Sequence, residues 1–207
     1  MDNYLDNLYR RINYYSKNYE CVFAYVHGIG ETQPIVDYQD KVCRFCGKRY
    51  PEVKFKKKAH AVSELLGNKE FVMKNECDTC NEFFGHKLED DLGKYLGLGR
   101  TLSQIFGKEG IPSYKDKSRT WRVDWTNKGW VVQVKNDCTG VEQHGNNLIF
   151  HAMRDAYSPI AVYKAFVKMA LSLLPYEKMV YFLDTVAWIK EESQLVSKYD
   201  MSNYTYM

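Results

Sequence analysis

The sequence predicts an α+β protein, on three observations. Two Cys-x-x-Cys pairs, Cys43/Cys46 and Cys77/Cys80, stand 30 residues apart. Aromatic, aliphatic and polar residues alternate from Thr120 to Lys135 around Asn127-Lys128-Gly129, the pattern of a β-hairpin. Apolar residues recur at spacings of three and four near both ends of the chain, the pattern of amphipathic helices. With 207 residues, 45% apolar content and no Pro- or Gly-rich tract, the chain has core enough for one large domain or two small ones.

In chain order, Tyr4-Leu5, Leu8-Tyr9, Ile12 and Tyr15 predict a short helix, Cys21 to Val26 a buried strand, and His27-Gly28-Ile29-Gly30 with Pro34 a loop. His27 reads as a turn or solvent-facing histidine, since the sequence suggests no second ligand beside it. After the first cysteine pair, Arg49-Tyr50 and Val53 to Lys56 predict short strands around Pro51, with His60 ending the hairpin. Ser63 to Asn68 reads as a turn and loop, and Phe71-Val72-Met73 as a short apolar element. Asn81 to Tyr95 reads as a helix beginning at the second cysteine pair, because Phe84, Leu88, Leu92 and Tyr95 share one face. Leu96-Gly97-Leu98-Gly99 and Gly107 to Pro112 mark a boundary. Beyond it come the hairpin, a strand over Asn147–His151, and amphipathic helices over 161–174 and 176–196, with Pro175 at the first turn of the second. Trp121, Trp125 and Trp130 are expected in the core of the small sheet rather than as base-stacking groups. The expected organisation is an extension over 1–38, a module over 39–95 and an α+β C-terminal region over 96–207.

Each Cys-x-x-Cys knuckle turns tightly enough to aim both thiolates at one ion. The four cysteines therefore predict a tetrahedral zinc site with no open position, which makes the ion structural. Cys21 and Cys138 stand apart and read as free, buried thiols in a reducing compartment. No apolar run reaches the ~18 residues that span a bilayer, and Met1-Asp2-Asn3-Tyr4 does not start a signal peptide, so a cytoplasmic protein without membrane partners is expected.

A net charge of +3 identifies no partner by itself, but its distribution is informative. Lys41 to His60 holds eight basic residues against Glu52, whereas Ala61 to Leu92 holds eight acids against three lysines. Basic groups beside carboxylates and amides suit phosphodiester chemistry, lysines holding phosphates and oxygen ligands holding a cation. A solvated surface of mixed charge is the plain alternative.

The residues Cys43-Arg44-Phe45-Cys46, Lys58-Ala59-His60, Leu66-Gly67-Asn68 and Cys77-Asp78-Thr79-Cys80-Asn81, followed by Phe84-Gly85 and Leu88-Glu89, resemble the HNH endonucleases over about 50 residues. The similar subgroup is the one whose second knuckle reads C-x-x-C-N. The resemblance implies a zinc-stabilised ββα-metal nuclease module followed by a region of unknown role. It implies that His60 is the general base, that Asn81 is a metal ligand, and that Glu89 matches the acidic position later on the helix. Asn68 would fix the loop opposite the base. Glu64 is a further candidate ligand for a catalytic Mg²⁺ or Mn²⁺, with His60 and Asn81. His86 reads as a surface residue. Where many family members carry an acidic ligand before the histidine, this chain has Ala59, and Glu64 or Glu89 is expected to complete the shell.

Lys56, Lys57, Lys58, Arg100 and Lys108 are the expected contacts to DNA, which is expected to be double-stranded, with Lys115, Lys117 and Arg119 adding to the same stretch. The C-terminal helices are expected to serve packing, a homo-oligomer or a partner protein. Restriction and anti-phage systems and mobile elements use modules of this subgroup, which points to bacterial or phage DNA metabolism and to defence. The competing reading is a non-catalytic, zinc-stabilised nucleic-acid-binding or regulatory protein, which Ala59 keeps open.

Overall fold

The computed structural model describes residues 2–21, 24, 33–35, 41–107 and 109–192. The chain divides into two units, residues 1–30 and 31–207. In the first, helix α1 (Asp2–Asn18) holds its apolar side chains in solvent, Leu5, Leu8 and Ile12 all being exposed. The strand expected over Cys21–Val26 and the loop at His27 lie almost wholly outside the described residues. Cys21 is described and is exposed, not buried as expected.

The second unit begins with β1 (Gln33–Ile35), β2 (Ala59–His60) and β3 (Phe71–Met73), in the order β1-β3-β2. β1 runs parallel to β3, whereas β2 is antiparallel to it and pairs Ala59 with Met73 and His60 with Val72. The hairpin that carries His60 is thus β2–β3. Residues 49–56 form no strands, apart from one bridge between Val42 and Arg49. That segment wraps the first knuckle, and its backbone is used locally, Cys43 N donating to Lys48 O at 2.8 Å and Val53 N to Arg49 O at 3.0 Å.

The long helix starts earlier than its apolar face suggests, at Asp78, with Cys77 at the N-cap position. It comprises α2 (Asp78–Phe84), a π-helical turn (Gly85–Glu89) and α3 (Asp90–Leu102). Phe84, Leu88 and Leu92 are nearly inaccessible. Two successive steps of four would drift about 80° on a regular α-helix, and the wider π turn removes most of that drift. Gly97, with φ 43° and ψ −128°, bends α3 without ending it, so the helix crosses the boundary expected at residue 96.

Two small antiparallel sheets follow. β4 (Tyr114–Lys115), β5 (Trp121–Thr126) and β6 (Gly129–Val134) form one, with the two-residue turn at Asn127-Lys128. β7 (Val141–His144) and β8 (Asn147–Phe150) form the other. Of the three tryptophans expected in the core, Trp121 alone is buried, between Tyr114 and Phe150. A Cβ on Gly140 would lie 2.5 Å from its indole nitrogen, so only glycine permits that approach. Trp125 and Trp130 are instead surface residues that meet edge to face, as directly paired residues next to the turn of the hairpin, beyond the buried Trp121 and Val123 of the same face.

The C-terminal pair is α4 (Pro159–Leu173), capped by Ser158, and α5 (Leu183–Lys190), preceded by a 3-10 helix over Tyr176–Phe182 where a longer α-helix was expected. α4 lies in the same core as the cysteine knuckles, Ala161, Ala165 and Met169 joining Phe45, Phe84 and Leu88. Its buried side also takes in a polar stripe. Lys164, Lys168 and Ser172, spaced by four, are buried, while Tyr163 and Phe166 are exposed. Among the described residues, no helix is long and apolar enough to cross a membrane.

Candidate metal cage and active site

The two knuckles converge. The Sγ atoms of Cys43, Cys46, Cys77 and Cys80 all lie within 4.8 Å of one another, and Cys46 Sγ stands 3.8 Å from Cys77 Sγ. With metal–sulfur bonds of ~2.3 Å, a tetrahedral tetrathiolate has edges of about 3.8 Å, so the cage has the size for one such ion. The backbone N–H of Cys77 donates to Cys43 Sγ at 3.4 Å. A hydrogen bond from Cys80, with backbone donors, pulls the Cys43 thiol down to about 4, whereas burial pushes Cys77 up to about 11 and the bond it gives Cys43 raises Cys80 further. Four clustered thiols cannot all ionise against one another, and a shared cation removes that conflict. Among the described residues this is the one group of three or more His, Cys, Asp or Glu ligand atoms drawn so close.

His60 is set by strand alternation. Ala59 and Ala61 point into the core at 1% and 0% exposure, which turns the imidazole to the other face of β2. Its Nε2 is buried without a hydrogen-bond partner and lies 3.8 Å from Glu64 Oε1. Burial holds the imidazole below its ordinary pKa, Lys58 and Lys168 acting in the same direction and Glu64 and Glu89 opposing it. Glu64 opens a 3-10 turn (Glu64–Leu66) that Ser63 caps at Leu65 N. Ser63 Oγ also donates to Glu89 Oε2 at 2.8 Å, which ties the π turn to the residues just after His60. Asn68 is buried and closes the loop between β2 and β3. Its amide donates to Val62 O and Phe71 O and accepts from the backbone of Glu70 and Phe71, so all four bonds hold the turn.

Asn81 lies on α2, half-buried, its backbone N–H on Cys77 O at 3.0 Å, and its side-chain amide makes no hydrogen bond to His60, Glu64 or Glu89. The structure brings His60 and Glu64 within 3.8 Å of each other and bonds Ser63, between them in the chain, to Glu89. Lys56, Lys57 and Lys58 are exposed. The backbone of Lys56 and Lys57 donates to Asp78 Oδ1 at the head of α2, and the Lys57 ammonium pairs with Glu82. Arg100 is half-buried on α3, its pKa lowered by burial and raised again by the nearby Glu64. Lys108 lies outside the described residues. His86 is exposed, as expected. A cleft of about 690 Å³ opens beside Glu89, with Lys94, Arg100, Lys115, Lys117 and Arg154 among its walls.

Three residues at this site escape a reading of the sequence. Lys168 of α4 places Nζ 3.0 Å from the His60 carbonyl oxygen and 2.8 Å from Glu76 Oε2. Burial raises the Glu76 pKa, with Lys168 opposing. Arg44, inside the first knuckle, donates to the carbonyls of Leu171, Ser172 and Leu174 at 2.6–2.8 Å and so caps the C-terminus of α4. The available signal was the stripe Lys164, Lys168, Ser172 on an otherwise apolar helix, which sequence alone assigns to solvent.

No curated protein and no solved structure matches the chain. The family model described as HNH endonuclease matches residues 43–96, the stretch that holds the cage, β2, β3, α2, the π turn and the first half of α3. With four cysteines positioned for a metal inside that match, residues 43–96 of this α+β chain are similar to an HNH endonuclease domain.

Proposed function

We propose that the chain is a metal-dependent DNA endonuclease in which His60 is the general base. The observation that carries this reading is the His60 Nε2, buried yet unpartnered beside Glu64 within the HNH match. An imidazole kept neutral by its surroundings can take a proton from water, which attacks phosphorus in line. Glu64 raises the affinity of the ring for that proton, Asn68 holds the loop after it, and Ser63 fixes Glu89 close by. The ion of the cysteine cage is zinc and structural, since four thiolates leave no open position. Asn81, Glu64 and His60 supply oxygen and imidazole donors that suit Mg²⁺ or Mn²⁺. Such an ion would neutralise charge on the leaving 3′ oxygen. Lys56, Lys58, Arg100 and Lys108 contact backbone phosphates, and the lysines of the cleft extend the path. Lys57 joins them by releasing Glu82. A role in bacterial or phage defence, within the cytoplasm, fits a nuclease that reads backbone rather than bases.

Nicking of supercoiled plasmid with Mg²⁺ or Mn²⁺, and none with EDTA, is the expected result. The buried methyl of Ala59, where an acidic ligand would stand, favours the second reading, a non-catalytic nucleic-acid-binding protein. Binding without cleavage at every metal concentration would support that one.

A further inference from the structure

We propose that Lys168 is a positioning residue for His60, which makes α4 a working part of the site and not an appendage. Lys168 is 2% exposed, and its ammonium reaches two segments at once, the His60 carbonyl at 3.0 Å and Glu76 Oε2 at 2.8 Å. Glu76 is the residue before Cys77, so one side chain braces the catalytic strand against the second knuckle. Its Nζ also stands 5.7 Å from the ring centroids of Phe45 and Phe84, one from each side of the cage. The neighbouring Met169 accepts the backbone N–H of Ser63 on its sulfur at 3.3 Å, and Arg44 caps the helix end from the first knuckle.

Stability alone does not explain this lysine. A buried Lys–Glu pair roughly cancels its own desolvation, and apolar residues of similar volume serve the fold as well or better. The pair does deliver geometry. β2 is two residues long and, among the described residues, lies at the sheet edge and pairs with β3 alone, so its own ladder does little to fix the depth at which His60 sits. A shift of about 1 Å at a reacting group can cost 100-fold in rate.

The inference rests on His60 being the base, and the test separates the two. Lys168→Met with Glu76→Gln removes both charges together, so that neither is stranded. Zinc content and melting temperature are expected near wild type. The single-turnover cleavage rate is expected to fall 10- to 100-fold, with the DNA concentration at half-saturation changed less than about twofold. The His60 Cε1–Hε1 cross-peak should move as well. Cleavage within twofold of wild type and an unmoved His60 signal would overturn the proposal. Loss of zinc and fold in the double variant would also overturn it, by assigning the pair to stability. A wild-type chain that does not cut would fail the nuclease reading alone, and the His60 signal would still decide the role of Lys168.

Discussion

The cysteine cage and the His60 pocket are built in opposite ways within one module. The cage takes four ligands of one kind from two tight knuckles and draws all four within 4.8 Å. The pocket takes its groups from β2, a 3-10 turn, the π turn and α4, and its imidazole stands 3.8 Å from the nearest Glu64 oxygen. Closure saturates an ion and spends its affinity on the fold, while openness leaves an imidazole nitrogen with nothing bonded to it. Losing a part of the first should therefore destroy structure, and losing a part of the second should destroy chemistry.

The strongest way to break this contrast is Cys77→Ser. It should release zinc and unfold the module, read by metal content and by the loss of a cooperative melt. A variant that keeps both would mean that the knuckles do not share an ion.

His60→Ala comes next, with plasmid cleavage down ~100-fold or more while zinc content and melting stay unchanged. Unchanged cleavage would end the assignment of His60.

A pH profile sharpens the same point. Burial lowers the His60 pKa, so the neutral, proton-accepting form persists below the ordinary value of 6.5. The catalytic efficiency should hold as pH falls to 6.5 and then drop about tenfold per pH unit at lower pH. The linked stability has the same sign. It is fully present above 6.5 and is lost as pH falls through the folded value, because the unfolded chain takes the proton more readily. An acid limb centred above 6.5 would contradict the buried, cation-flanked setting.

The smallest effect is expected from Ser63→Ala, which removes the bond to Glu89 and the cap on Leu65. A loss of about 1 kcal/mol in a denaturant titration is expected, with cleavage reduced but present.

Much of the module was legible because its signals are short-range. Cysteine spacing, the face Phe84-Leu88-Leu92 and the turn at Asn127-Lys128 each depend on residues a few positions apart, and backbone geometry alone turns them into a knuckle, a helix and a hairpin. The spans assigned to strands at 49–56 failed for the same reason in reverse. β-propensity there was real but found no partner, since backbone bonds around the knuckle had already used those groups. The tryptophans share one face of the hairpin and divide by their place along it, Trp121 under cover and Trp125 and Trp130 at the open turn end, which alternation by itself does not report.

By itself, then, the sequence determined the spacing that makes the cage, the identity of the candidate base and the place of the Thr120–Lys135 hairpin. Tertiary structure alone decided which way α4 faces. Its polar stripe would be solvated on an isolated helix, but the carbonyl of His60 and the carboxylate of Glu76 offer Lys168 partners more than 90 residues away in the chain. A buried lysine is tolerable only where such partners wait, and no local pattern can report them.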